Sequence, residues 1–177
     1  MSKTLGNAIS PSELVGEYGA DALRCYLARK ISSFEDGDMT KEGFKDVYNA
    51  DLANGLGNLT ARIMKMSEQY FGNEKPEIKK EELPEDYCEF MDNREINRAA
   101  DVIWNLMAEI DARIQETQPF KVVKEDREKA KDIVKGLVSG LSLVAEMLAP
   151  FLPETADKII KAIKNNKMPE SLFLRRE

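Results

Sequence analysis

Leu52, Leu56, Leu59, Ile63, Met66 and Tyr70 follow one another at alternating spacings of four and three. That rhythm keeps every one of them on a single face of an α-helix, and no strand pleat can hide them together. The same pattern returns twice more at length. Ile96, Ile103, Met107, Ile110 and Ile114 stripe one segment, and Val134, Val138, Leu141 and Leu148 stripe another. A shorter stripe, Ile159, Ile160 and Ile163, follows. Three long amphipathic helices and a short one, none able to bury its stripe alone, predict an all-α antiparallel bundle. No segment shows strong strand alternation, and no repeat is visible.

Punctuation divides the chain. Ser10-Pro11-Ser12-Glu13 predicts a helix start in which Ser10 and Glu13 form a capping box and Pro11 takes the first helical position. Gly19 interrupts that helix, and a second follows over 20–30 with Leu23, Tyr26 and Leu27 on one face. Polar residues over 32–39 read as a loop, with Thr40 as the next cap. Gly72 ends the first long helix, and the Pro-, Glu- and Lys-rich stretch 73–86 is an exposed connection. A single helix is predicted from there to Thr117, broken by Pro119. The third covers 127–149 and stops at Pro150, and Pro153 and Glu154 open the last.

The chemistry available is narrow. Among 177 residues there is no histidine, which removes imidazole acid–base catalysis and histidine metal sites. A carboxylate metal site inside the bundle lacks the Glu-x-x-His pairs such sites use. Cys25 and Cys88 stand alone and form no zinc or redox pair, so two reduced thiols in a cytoplasmic protein are expected. No run is apolar enough to cross a membrane, and no leader pattern precedes the helices. Net charge is −6, so nucleic-acid binding would need a local site on an acidic body rather than a basic surface.

Specific motifs supply such a site. Met1-Ser2-Lys3-Thr4-Leu5-Gly6-Asn7, followed by Gly19-Ala20-Asp21-Ala22-Leu23-Arg24, resembles the signature loop and following helices of class I aminoacyl-tRNA synthetases. Tyr48-Asn49-Ala50-Asp51-Leu52-Ala53-Asn54-Gly55-Leu56-Gly57-Asn58-Leu59-Thr60-Ala61-Arg62 is similar to the first anticodon-domain helix of methionyl-tRNA synthetases. Glu116-Thr117-Gln118-Pro119-Phe120 and Leu148-Ala149-Pro150-Phe151-Leu152-Pro153-Glu154-Thr155 resemble two further segments of that family. The resemblance covers nearly the whole chain.

It implies a division into 1–39, the end of the signature loop with stem-contact helices that include Asp21 and Arg24, then 40–165, the anticodon-binding bundle, and a tail over 166–177. The parent enzyme would attach methionine to its tRNA using ATP with Mg²⁺. Lys3 matches the signature lysine that stabilises charge building on the phosphoryl oxygens, a kind of contact worth on the order of 3 kcal/mol of barrier. The nucleotide-binding sheet, the His-containing signature and the first loop lysine are not in this sequence. The chain alone is therefore expected to be inactive and to hold no cofactor itself. Its implied partners are methionine tRNA with the anticodon CAU and the catalytic domain of the same enzyme, with no membrane or DNA role.

Three residues carry the anticodon reading that the resemblance implies: Asn58, Arg62 and Phe120. Asn58 and Arg62 are four apart, hence one turn apart on one helical face. Arginine supplies a planar fork of donors and asparagine a donor and an acceptor, a set suited to the Watson–Crick edge of an unstacked cytosine. Phe120 stands where the family has tryptophan; it can still stack on a base, at roughly 1–3 kcal/mol, but lacks the indole N–H. Without the resemblance the same residues have ordinary uses. Asn58 fills a packing gap, Arg62 pairs with Glu68 or another carboxylate, and Phe120 is a packing anchor. Trp104, among Val102, Ile103 and Leu106, reads as core, and Lys158, Lys161 and Lys164 as a solvated face. The alternatives are a fragment of a related class I enzyme (isoleucyl, valyl, leucyl or cysteinyl) and a helical interaction module without RNA binding.

Overall fold

Pro11 begins helix α1 (Pro11–Tyr18), as its missing N–H permits. In the computed structural model, which describes residues 9–31 and 39–177, Ser10 makes no side-chain cap. The expected capping box is absent: the Glu13 carboxylate is engaged by Lys41 at 3.2 Å, and the turn is held by the Ser10 carbonyl, which accepts from Glu13 N and Leu14 N. Gly19, at φ +89°, breaks the chain direction as only glycine does readily and releases α2 (Ala20–Lys30). Thr40 caps α3 (Lys41–Val47) by accepting from Gly43 N at 3.0 Å.

Helical winding continues from α3 without a break, but it changes. Residues Tyr48–Gly57 are wound as a π-helix before α4 (Asn58–Phe71) resumes the regular pitch. A wider turn presses the carbonyl of the fifth preceding residue against the backbone. A Cβ on Gly55 would lie 3.2 Å from the Ala50 oxygen, and one on Gly57 3.1 Å from that of Leu52. Two glycines thus leave room for the carbonyls. The stripe expected from the sequence survives: Leu52, Leu56, Leu59, Ile63 and Tyr70 are all buried.

The charged connection after Gly72 lies across α8, with Lys79 N donating to the Ser139 hydroxyl at 3.3 Å. The helix predicted from there to Thr117 is two helices, α5 (Glu85–Asp92) and α6 (Ile96–Thr117). Between them Arg94 adopts φ +60°, with Glu95 N bonded to Phe90 O and Arg94 N to Met91 O, the two bonds of a Schellman turn. Arg98 then stacks on Phe90 at 4.0 Å and closes the corner. Gln118, left-handed at φ +45°, ends α6, and Pro119 opens the short α7 (Pro119–Val122). Asp126 caps α8 (Arg127–Leu148) through Lys129 N at 2.9 Å, and α9 (Pro153–Asn165) follows.

Helix α8 is the centre of the bundle. Gly140 faces Ile110 and Gly136 faces Arg113, so α6 runs antiparallel to it. Arg127, at its start, donates to Tyr70 O at the end of α4, so α4 is antiparallel to it as well. Helices α4 and α6 therefore run in the same direction, cross-linked by Arg62 to Asp111 and by the Tyr70 hydroxyl to Pro119 O. The fold among the described residues is all-α, with no strand, and no helix of the described residues is long and apolar enough to cross a membrane.

Candidate nucleic-acid interface

The change from π to α winding falls at Gly57–Asn58, and Asn58 opens the regular helix that carries Arg62 one turn on. Both side chains line a cavity of about 280 Å³ between α4 and α6, whose other walls include Asn54, Trp104, Met107 and Asp111. Asn58 also lines a neighbouring cavity of about 200 Å³ formed with the tail residues Met168 to Phe173.

Arg62 Nη1 donates to Asp111 Oδ1 across the cavity. The two side chains are 37% and 44% exposed, so the pair is only partly buried. The partner is Asp111, not Glu68, which instead accepts from Met168 N at 3.0 Å. Trp104 is packed against the core on one side, as its sequence neighbours predict, and lines the cavity on another. The Arg29 guanidinium lies 4.3 Å from the indole centroid, and Trp104 Nε1 is buried without a hydrogen-bond partner. Arg29 is in turn held by Asp51.

Phe120 is 45% exposed and does not line this cavity. It projects from α7, whose first residue is tied to Tyr70. Tyr70 lies eight residues beyond Arg62, about 12 Å along the axis of α4. Asn58 and Arg62 are brought together in one cavity, and Phe120 stands exposed outside it. Lys3 lies outside the described residues. Trp104, expected as core alone, and Asp111, not singled out from the sequence, both line the cavity, and Trp104, Ala108 and Asp111 fall at i, i+4 and i+7, a second helical face beside the apolar stripe.

Comparison with known proteins decides the family. The profile described as the anticodon binding domain of methionyl tRNA ligase matches residues 72–172. The chain belongs to the methionyl-tRNA ligase family. A second profile, tRNA synthetases class I (M), matches residues 1–64, so the two matches meet near the end of α4. The methionine–tRNA ligase of Clostridium acetobutylicum is 39% identical over 173 residues, covering 90% of this chain and 27% of the relative. Methionine–tRNA ligase 1 of Bacillus cereus is 38% identical over 174 residues, covering 90% and 26%. The chain thus spans about a quarter of the length of these curated relatives. Among solved structures, apo Mycobacterium tuberculosis methionyl-tRNA synthetase superposes with a TM-score of 0.76 at 20% identity, covering 96% of this chain and 41% of that one. The same enzyme bound by methionyl-adenylate gives 0.76 at 22%, covering 100% and 41%. These structural likenesses establish the helical fold.

Proposed function

We propose that this chain is the anticodon-recognition and tRNA-binding part of a methionine–tRNA ligase, and that it reads the CAU anticodon through Asn58 and Arg62. The observation that carries the reading is their convergence on one open cavity whose opposite wall, Trp104, Met107 and Asp111 of α6, lies in the segment matched by the anticodon-binding profile. Single-stranded bases are recognised when splayed out, hydrogen-bonded along the Watson–Crick edge and stacked on aromatic side chains. A 280 Å³ recess with a guanidinium, an amide and an indole in its walls has the parts for one such base. Phe120, exposed outside the cavity, would stack on a neighbouring base of the same loop.

In this reading residues 1–39 link the bundle to the catalytic part of a longer cytoplasmic enzyme, 40–165 form the reader and 166–177 brace it. Lys3 would serve amino-acid activation there. ATP and Mg²⁺ would be used by that catalytic part.

The test is a binding titration, at one stated salt concentration, of RNA stem-loops carrying CAU or a loop with its cytosine replaced. Wild type should prefer CAU, and Arg62→Ala should lose about tenfold or more in affinity for CAU and with it most of the preference. Equal binding of both hairpins by the folded wild-type chain would refute the assignment.

A further inference from the structure

Resting on the anticodon reading above, we infer that Asp111 is the side chain that separates cytosine from uracil in this cavity. The Arg62–Asp111 pair is a composite hydrogen-bonding edge. Among the described residues each makes one hydrogen bond, to the other, through a single guanidinium nitrogen and a single carboxylate oxygen. Arg62 keeps its remaining N–H groups for a ligand, all of them donors. Asp111 keeps Oδ2, a carboxylate oxygen that accepts and does not donate. Donors and acceptor thus sit side by side at the mouth of one recess, with Asn58 beside them.

Cytosine matches that order. Its O2 and N3 are acceptors for the guanidinium, and its exocyclic amino group is a donor for a carboxylate, the pairing by which acidic side chains read cytosine. Uracil reverses two of the three positions. It carries an N3–H toward the guanidinium and a carbonyl, O4, toward the carboxylate, where lone pairs face lone pairs. Specificity of this kind comes as much from repelling the wrong base as from attracting the right one. A lone Arg62 would reject uracil only at N3; Asp111 adds a second, repulsive position. The pair also holds the guanidinium in place, and both side chains remain partly open to solvent.

Asp111→Asn tests this directly. The carboxamide oxygen can still accept from the cytosine amino group, while its nitrogen can donate to uracil O4. Hairpins with CAU and UAU loops are titrated with the wild-type chain, Asp111→Asn and Asp111→Ser at fixed salt, with helix content and cooperative melting checked for each. The wild type should prefer CAU by about tenfold or more. In Asp111→Asn that ratio should fall about tenfold, mainly because UAU binds more tightly, while CAU stays within about threefold. Asp111→Ser, also a donor and acceptor, should move the ratio the same way. If both variants weaken both hairpins equally and leave the ratio unchanged, Asp111 only holds Arg62 and the inference is wrong. If the wild type does not prefer CAU, the anticodon reading falls and takes this inference with it. A wild-type preference with an unmoved ratio sinks this inference alone.

Discussion

Asp21 is charged and only 6% exposed, a placement that costs free energy unless the carboxylate is fully bonded. It accepts from both Thr155 N and the Thr155 hydroxyl, each at 2.7 Å, and so satisfies the first turn of α9 from outside the helix. Arg24, one turn on, donates to Pro150 O and Phe151 O at the end of α8. Between them Cys25 is sealed in: burial, with Asp51 adding to it, pushes its thiol from an ordinary value of 9.0 up to about 12. The unfolded chain therefore releases this proton first as pH rises. The stability tied to the neutral thiol is complete below pH 9 and is lost between there and about 12, with a slope of about 1.4 kcal/mol per pH unit. Urea unfolding from pH 8 to 10.5 should show a shallower decline for Cys25→Ala than for wild type, and coincident slopes would contradict the burial. At this scale the sequence was only partly legible. Asn58 and Arg62 were singled out by the resemblance, and their four-residue spacing says only that they share a helical face, whereas Asp111 and Trp104 join them only when α6 is laid beside α4, which no spacing within one helix reveals.

Among the elements, the apolar stripes were the most legible, because burial of one face is what a helix in a bundle must achieve. The π winding over Tyr48–Gly57 was not, since a four-residue stripe fits either pitch and the cue lies in carbonyl clearance at Gly55 and Gly57. The break at Arg94 was hidden as well, because an arginine in the left-handed region carries no sequence signal of the kind glycine gives. Helix α8 crosses α6 closely over two small residues that differ in what they face. A Cβ on Gly140 would meet the Ile110 Cδ1 at 3.0 Å in a buried contact, while one on Gly136 would meet the end of the Arg113 side chain at 3.2 Å. Gly140→Leu should cost about 1–3 kcal/mol by overpacking. Gly136→Ala should be neutral or stabilise by up to about 1 kcal/mol, since Arg113 can swing aside and a helix favours alanine. Denaturant midpoints decide both; a tolerated Gly140→Leu would mean that α6 and α8 are not so close.

Across the whole molecule, the tail over 166–177 closes the structure. Asn166 ends α9 in the left-handed conformation and bonds Gly72 O, Glu74 O and the Ser67 hydroxyl. The chain then returns along α4, buries Phe173 beside Gly57 and Tyr48, and pairs Arg176 with Asn49 through two backbone–side-chain bonds. These partners are more than ninety residues apart in sequence, and neither side has a periodic pattern to announce the match. The tail also walls the cavity next to Asn58, so the π segment, α4, α6 and the tail together shape one face of the molecule. That face is the centre of the functional account, and mapping it is the most direct test. A ¹H–¹⁵N spectrum of the chain should be followed while a CAU stem-loop is added at fixed salt. The account predicts that the Asn58 side-chain amide, the Trp104 indole N–H and backbone amides near 58–62 and 104–111 shift together. Shifts confined to the lysine-lined cavity of Lys158, Lys161 and Lys167, or no shifts at all by a folded chain, would contradict it.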